Sequence, residues 1–357
     1  MKNLILSIVL SGMAMTLNAQ TMEKIQTSKL DEQLQLTSEW DKTFPKSTKV
    51  NHKKVTFHNH FGITLAADMY IPKDAKGKLP ALAVSGPFGA VKEQSSGLYA
   101  QTLAERGYLT IAFDPSFTGE SSGNPRNVFS LDINTEDFQA AVDFLSNLPE
   151  VDAARIGVVG ICGWGGISLN TAANDPRIKA TVAVTMYDMP RIGAWGYNDS
   201  GSANDRYKSK EQITALRTKE YTTGLQQRAG GNIEQNDPKF NDYPAFIQQY
   251  SNYYMTKRGY HKNSVNSTGG WMAQGMTGWM NNSILEHPED LRNAVMIVHG
   301  EKAHSRYMGE DTFKKLEGNN KELVIVPNAT HTDLYDGGDK NYIPFDKIDT
   351  FFQTYLK

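Results

Sequence analysis

"VVGICGWGGIS" (Val158–Ser168) is the stretch whose reading decides how this chain folds. It continues "RIGVVG" (Arg155–Gly160), an apolar run with the texture of a buried strand, and passes through glycines that let a helix begin close against a sheet. A tight strand-to-helix turn projects its central side chain clear of the sheet. The helix N-terminus behind it supplies backbone N–H groups and partial positive charge. Cys162, the single cysteine of the chain, stands at that point. Two readings are open: a nucleophile, whose thiolate such a position favours, or a small buried side chain without chemistry.

Outward from the turn, short apolar runs alternate with helical ones. "ALAVSG" (Ala81–Gly86), "LTIAFDP" (Leu109–Pro115), "ATVAVTM" (Ala180–Met186), "AVMIVHG" (Ala294–Gly300) and "ELVIVP" (Glu322–Pro327) read as strands. Between them lie a helix carrying Leu98, Leu103 and Ala104 and another placing Phe138, Val142, Leu145 and Leu148 on one face. A last helix carries Phe345, Ile348, Phe351, Phe352 and Tyr355. Continuously apolar strands joined by helices predict an α/β, doubly wound, mostly parallel sheet covered on both faces. In front of it, "KKVTFHNHFGITLAADMYIP" alternates apolar and polar residues around His58–Gly62, which predicts an antiparallel hairpin. From Pro190 to Pro288 no strand-like run occurs, and the segment is rich in Tyr, Gln, Asn, Trp and Met. It is expected to be an inserted helical cap. The organisation is therefore a core of residues 51–189 and 289–357, a cap of residues 190–288, and a polar surface extension over residues 20–50. That extension carries a weak helical pattern in Leu30, Leu34, Leu36 and Trp40.

Bulk composition narrows the partners. Over 357 residues, 37 Lys and Arg face 39 Asp and Glu for a net charge of -2, with no basic run. Nucleic acid and anionic membrane surfaces are excluded on that balance. Lys2, the apolar run Leu4–Leu17 and the small Ala19 before Gln20 predict a signal peptide over residues 1–19 and export to the periplasm or beyond. A lone thiol exported to an oxidising compartment must be buried or in use.

Partners for Cys162 come from two other loops. His331, in "VPNATHTDLYD", follows the last strand and belongs to the same sheet rim as Cys162, where an imidazole can act as base. The N–H of Gly163 and that of Phe88 in "GPFGAVKEQ" (Gly86–Gln94) are the candidate oxyanion donors, since Pro87 has no N–H. His58/His60 and His299/His304 lack a third ligand at metal spacing, and no phosphate-cradling or dinucleotide loop is present. No cofactor or metal is expected.

With these residues in view, the chain resembles the α/β-hydrolase superfamily over about residues 50–357. "FDPSFTGESSG" (Phe113–Gly123) looks like the loop after strand four of such hydrolases. "GICGWGG" is similar to the cysteine elbows of dienelactone-hydrolase-like proteins and fungal polyketide-transferase thiohydrolases. "GPFGAVKEQ" and "ATHTDLYD…IPFDK" resemble that subgroup's oxyanion loop and histidine segment. The resemblance implies acyl transfer to Cys162 with His331 as base, Gly163 and Phe88 as oxyanion donors, and a small-molecule ester or lactone as substrate. A non-catalytic binding protein and a peptidase of the same fold are the alternatives. Two departures stand out. Trp164 occupies a position that is small in the family. The loop after "AVMIVHG" reads Glu301-Lys302-Ala303-His304 with no aspartate, which leaves Glu301, or Asp188 after "ATVAVTM", as the acid expected to orient His331, or no acid at all beside a Cys162–His331 dyad, since a thiol ionises more easily than a hydroxyl; Asp333 and Asp336 are expected to be structural or solvated.

Overall fold

Alternation in the leading segment folds as an antiparallel hairpin in the computed structural model, which describes residue 34 and residues 36–357. The expected signal peptide and Leu30 lie outside the described residues. Strands β1 (Val50–His58) and β2 (Thr64–Pro72) pair from Val50 opposite Pro72 to His58 opposite Thr64. The Asn59 side-chain oxygen closes the turn by accepting the Phe61 and Ile63 N–H groups, each at 3.0 Å.

The apolar runs then form β3 (Leu79–Ser85), β4 (Leu109–Phe113), β5 (Val151–Ile161), β6 (Ile178–Val184), β7 (Ala294–Gly300) and β8 (Lys321–Val326). The eight strands lie in the order β1-β2-β4-β3-β5-β6-β7-β8, parallel from β4 onward. The chain leaves β3 toward one edge to make β4 and returns on the other side of β3 to make β5. The strand order therefore reverses between β3 and β5, where ligands gather in doubly wound sheets. Cys162 follows β5 directly.

Helices cover both faces. On one, α2 (Leu131–Ser146) and α3 (Gly163–Asn174) pack Phe138, Val142, Leu145 and Ile167 against Ile111, Phe113 and Val158. On the other lie α1 (Ser95–Ala104) and the C-terminal helix Phe345–Tyr355, which bury Tyr99, Leu103, Ile348, Phe351 and Phe352 against Val159 and Val182. Each such side chain stabilises the fold by about 1.5–3 kcal/mol.

Between β6 and β7 the chain contributes no strand to the large sheet. It forms α4 (Met189–Trp195), α5 (Ala203–Thr223) and α6 (Ala245–Tyr254), with a two-residue antiparallel ladder of Arg228–Ala229 with Trp271–Met272. α5 buries none of its residues; it is held at its ends by the Ser202–Asp205 capping box and by Gly224 in the left-handed conformation. α6 turns Ser251, Tyr253 and Tyr254 inward. No helix among the described residues is long and apolar enough to cross a membrane.

Residues 36–49 depart from expectation. They contain no helix, and they are pinned rather than superficial. Phe44 is buried, and the Lys42 ammonium sits 2.8 Å from the buried Asp68 carboxylate. An ion pair and an anchored ring outweigh a weak helical pattern.

Candidate active site

Cys162 is the N-cap of α3, with φ 58° and ψ −123°. A non-glycine residue in that region costs on the order of 1–3 kcal/mol and persists only where its surroundings over-determine it. Here its N–H donates to the Val184 carbonyl (2.9 Å), and its carbonyl accepts from Gly165 (2.8 Å) and Tyr187 (2.9 Å). A Cβ on Gly160 would run into the Trp164 carbonyl, and one on Gly166 would come 2.6 Å from the Tyr187 oxygen. The bulk of Trp164 is absorbed from the opposite side. Its buried ring lies against Gly86 (φ +100°), where a Cβ would approach the indole to 2.7 Å. The glycine that accommodates this elbow therefore sits in the loop that carries Phe88.

The expected oxyanion donors lie on either side of the thiol: the N–H groups of Phe88 and Gly163 both act on Cys162 in the direction that favours its thiolate, and a Cβ on Gly163 would come 2.8 Å from that of Phe88. Phe88 is held on two sides. In front, Asn266 donates its amide to the Phe88 carbonyl (2.7 Å), and the Ser264 hydroxyl and Asn266 N–H donate to the Gly89 carbonyl (2.8 and 3.0 Å). The Phe88 ring stacks on Trp271 with centroids 4.2 Å apart and meets Trp279 edge-on at 5.3 Å. Behind, the Lys92 N–H donates to Asp114 (2.8 Å), and its ammonium lies 2.6–2.8 Å from Glu93, Asp114 and Glu120, all deep in the protein. This gives the "FDPSFTGESSG" signature a structural meaning. Asp114 and Glu120 brace the oxyanion loop, and Gly119 lets the chain pass against the Asp114 carboxylate, where a Cβ would clash.

His331 is fully buried. Its Nε2 lies 3.0 Å from the Tyr335 hydroxyl, and the hydroxyls of Tyr335 and of Tyr250 from α6 both act on the buried Cys162 thiol. Its Nδ1 faces two hydroxyls, Ser305 at 2.6 Å and Thr185 at 2.9 Å. Neither carboxylate expected there takes this place. Glu301 is exposed and accepts the Asn328 N–H (2.8 Å); it stands at the loop's outer end, facing solvent. Asp188 caps α4, accepting the Arg191 N–H at 2.9 Å. Thr185 follows β6 and Ser305 lies in the loop after β7, so each of the two places considered for an acid supplies a hydroxyl instead. Asp333 accepts from Thr330, and Asp336 pairs with Arg258 (2.7 Å).

Burial decides the protonation states. It pushes the Cys162 thiol above its ordinary value, outweighing the hydrogen bonds from Tyr335, Phe88, Gly163 and Tyr250 that favour the thiolate. Burial holds His331 well below the usual histidine range, with His304 and His299 adding to the effect. His304, 5.0 Å from the His331 ring by centroid, is held at about 4 by burial; it shares a 2.7 Å hydrogen bond with the Tyr187 hydroxyl and stacks on Phe246. The helix-end thiolate expected from sequence is thus outweighed by desolvation, and the site rests as a neutral thiol beside a neutral imidazole. Among the described residues no three His, Cys, Asp or Glu side chains converge as a metal site.

Sequence reasoning missed Tyr335, Tyr250, Ser305 and Thr185. Only Tyr335 carried a readable signal, standing four residues after His331 in the same segment.

Comparison with known proteins places this geometry. The chain is 51% identical to the Pseudomonas aeruginosa protein PA2218 over 359 residues, covering 98% of this chain and 94% of that one. A PA2218 crystal structure superposes with a TM-score of 0.86 at 53% identity, over 90% of this chain and 99% of that one. The thiohydrolase aneE of Aspergillus aculeatus is 33% identical over 141 residues, 38% of this chain and 43% of that one. The α/β hydrolase GrgF of Penicillium sp. sh18 shares the fold at a TM-score of 0.68 and 21% identity, over 86% of this chain and 99% of that one. The family model for X-Pro dipeptidyl-peptidase (S15 family) matches residues 62–333, from the hairpin turn through His331. The chain belongs to that peptidase S15 family and has an α/β-hydrolase fold.

Proposed function

We propose that this chain is an exported hydrolase that cleaves small uncharged esters or lactones through a Cys162 acyl-enzyme, with His331 as the base. The observation that carries the reading is the convergence on one sulfur of the Phe88 and Gly163 N–H groups and the Tyr335–His331 pair. Two N–H donors beside a nucleophile stabilise the oxyanion that forms when sulfur adds to a carbonyl. The cysteine elbow and the partial match to a thiohydrolase support acyl transfer through sulfur. Export rests on the Lys2, Leu4–Leu17 and Ala19 leader pattern.

The family description favours a second reading, a peptidase. Two features of the site weigh against it. A thiol adduct of an amide expels sulfur more readily than an unprotonated amine, whereas an ester oxygen leaves with less help. Releasing a dipeptide from a peptide N-terminus also requires a place for the α-ammonium one residue before the scissile carbonyl, and a buried charge needs a charged partner. The groups that bear most on Cys162, Tyr250 and Tyr335 are neutral tyrosines and the thiol itself.

A panel of p-nitrophenyl esters, lactones and X-Pro-p-nitroanilides on wild type and Cys162→Ala tests both readings. Ester or lactone turnover is expected to fall more than about a thousandfold in the variant, with an acylated wild-type mass trapped at low pH. Equal rates in the two proteins overturn the nucleophile. Anilide turnover exceeding that of every ester favours the peptidase.

A further inference from the structure

The Cys162 sulfur and the His331 imidazole communicate through a third group. His331 Nε2 is 3.0 Å from the Tyr335 hydroxyl, and Tyr335 and the Cys162 thiol interact within one buried cluster. The other hydrogen-bond partners of the ring, Ser305 and Thr185, are on Nδ1, so Nε2 is the nitrogen turned toward the reacting atoms. Tyr335 has little freedom to move away. It is fully buried in the one-turn helix Asp333–Asp336, where Tyr99 donates to the Leu334 carbonyl (2.7 Å) and Arg258 clamps Asp336 (2.7 and 2.8 Å). The Tyr253 ring packs against its own, edge to face, at 5.0 Å.

We propose that the Tyr335 hydroxyl is a catalytic proton relay between Cys162 and His331, an assignment that rests on Cys162 being the nucleophile. As Sγ bonds to the substrate carbonyl carbon, the thiol proton passes to the Tyr335 oxygen while the phenolic proton passes to His331 Nε2. When the intermediate collapses, the carbon–oxygen bond to the leaving group breaks and its electron pair stays on that oxygen. Tyr335 protonates it and recovers a proton from the imidazolium. In the second half, water adds to the acyl carbon and its proton travels the same route to His331. The carbon–sulfur bond then breaks and the thiol regains its proton. The tyrosine starts and ends each step neutral, so no phenolate forms in a cavity whose burial opposes one.

Alkylation of Cys162 by iodoacetamide, followed against pH in the full chain, reads the relay without requiring a substrate. Tyr335→Phe, His331→Gln and the double variant are compared with wild type. The relay predicts that each single variant slows alkylation at neutral pH by about tenfold and flattens its acid-side pH profile. The double variant should be no slower than either single one, because both break one path. Replacing Tyr335 by 3-fluorotyrosine, which keeps a more acidic hydroxyl, should restore the rate. The relay is overturned if Tyr335→Phe alkylates like wild type, or if the two losses multiply. On an ester, loss of turnover in Cys162→Ala with none in Tyr335→Phe removes the relay and leaves the hydrolase. Slowed alkylation in Tyr335→Phe with no ester or lactone turnover by wild type removes the hydrolase and leaves the relay.

Discussion

Two buried polar networks meet at the loop that carries Phe88, and they differ in one property. Behind the loop lie Lys54, Lys92, Glu93, Asp114 and Glu120, joined by ion pairs. In front lie Cys162, Thr185, Tyr187, Tyr250, Ser305, His304, His331 and Tyr335, joined by hydrogen bonds between groups that are all neutral at rest. Both are deeply buried, so solvent access does not distinguish them. Charge does. Paired charges in a low-dielectric interior lock geometry, because moving either partner leaves the other uncompensated. Neutral hydroxyls, imidazoles and a thiol can hand protons along a chain without stranding a charge. The fold thus sets a charged support behind the Phe88 loop and a cavity of neutral polar groups before it.

The largest effect that would break this contrast comes from the support. Lys92→Met leaves Glu93, Asp114 and Glu120 buried around an apolar side chain, and should cost about 3–5 kcal/mol in urea unfolding. A cost below about 1 kcal/mol would mean that the charges hold nothing in place.

Acid titration probes the other side. His304 is held at about 4, below the ordinary 6.5, so its neutral burial adds stability that is present above about 6.5 and is lost as pH falls toward 4. His304→Gln removes that dependence. Between pH 6.5 and 4 the variant should lose about 3 kcal/mol less stability than wild type, whatever its offset at neutral pH. Parallel stability curves for the two proteins would show that this cavity tolerates charge and that the two networks are alike.

How much of this could be read in advance follows from what each feature depends on. The sheet, the elbow at Cys162, the Phe88 loop and the position of His331 are local facts. Apolar strands, glycines and a proline print them on consecutive residues, and the structure brings those residues together. Boundaries moved by a few residues; β5 starts at Val151 rather than Arg155. The partners of His331 were another matter. Thr185 and Ser305 are 120 residues apart and carry no pattern, and a hydroxyl at a strand end reads like any other. The search for an acid found Glu301 and Asp188 because carboxylates are what family resemblance looks for. The burial that keeps Cys162 a thiol was equally hidden. Cys162 is buried in one cluster with Tyr253 and Tyr254 of α6, from a segment far along the chain.

The smallest expected effect is the most discriminating. Ser305→Ala removes the shorter of the two hydrogen bonds on Nδ1 and frees the ring to take the tautomer that donates from Nε2, which cannot accept a proton. It should lower kcat/KM, or the Cys162 alkylation rate, by about tenfold, with Thr185→Val adding less because its contact is longer. Glu301→Gln should change either readout by less than about twofold, as expected for a surface substitution, because its carboxylate faces solvent and accepts the Asn328 N–H. The ratio between these two variants decides what orients the base. If Glu301→Gln carries the loss and Ser305→Ala none, a carboxylate swings onto the imidazole in the reacting protein. His331 would then be free to hold a full positive charge, and the division between a charged support and a neutral site would fail at the residue where it matters most.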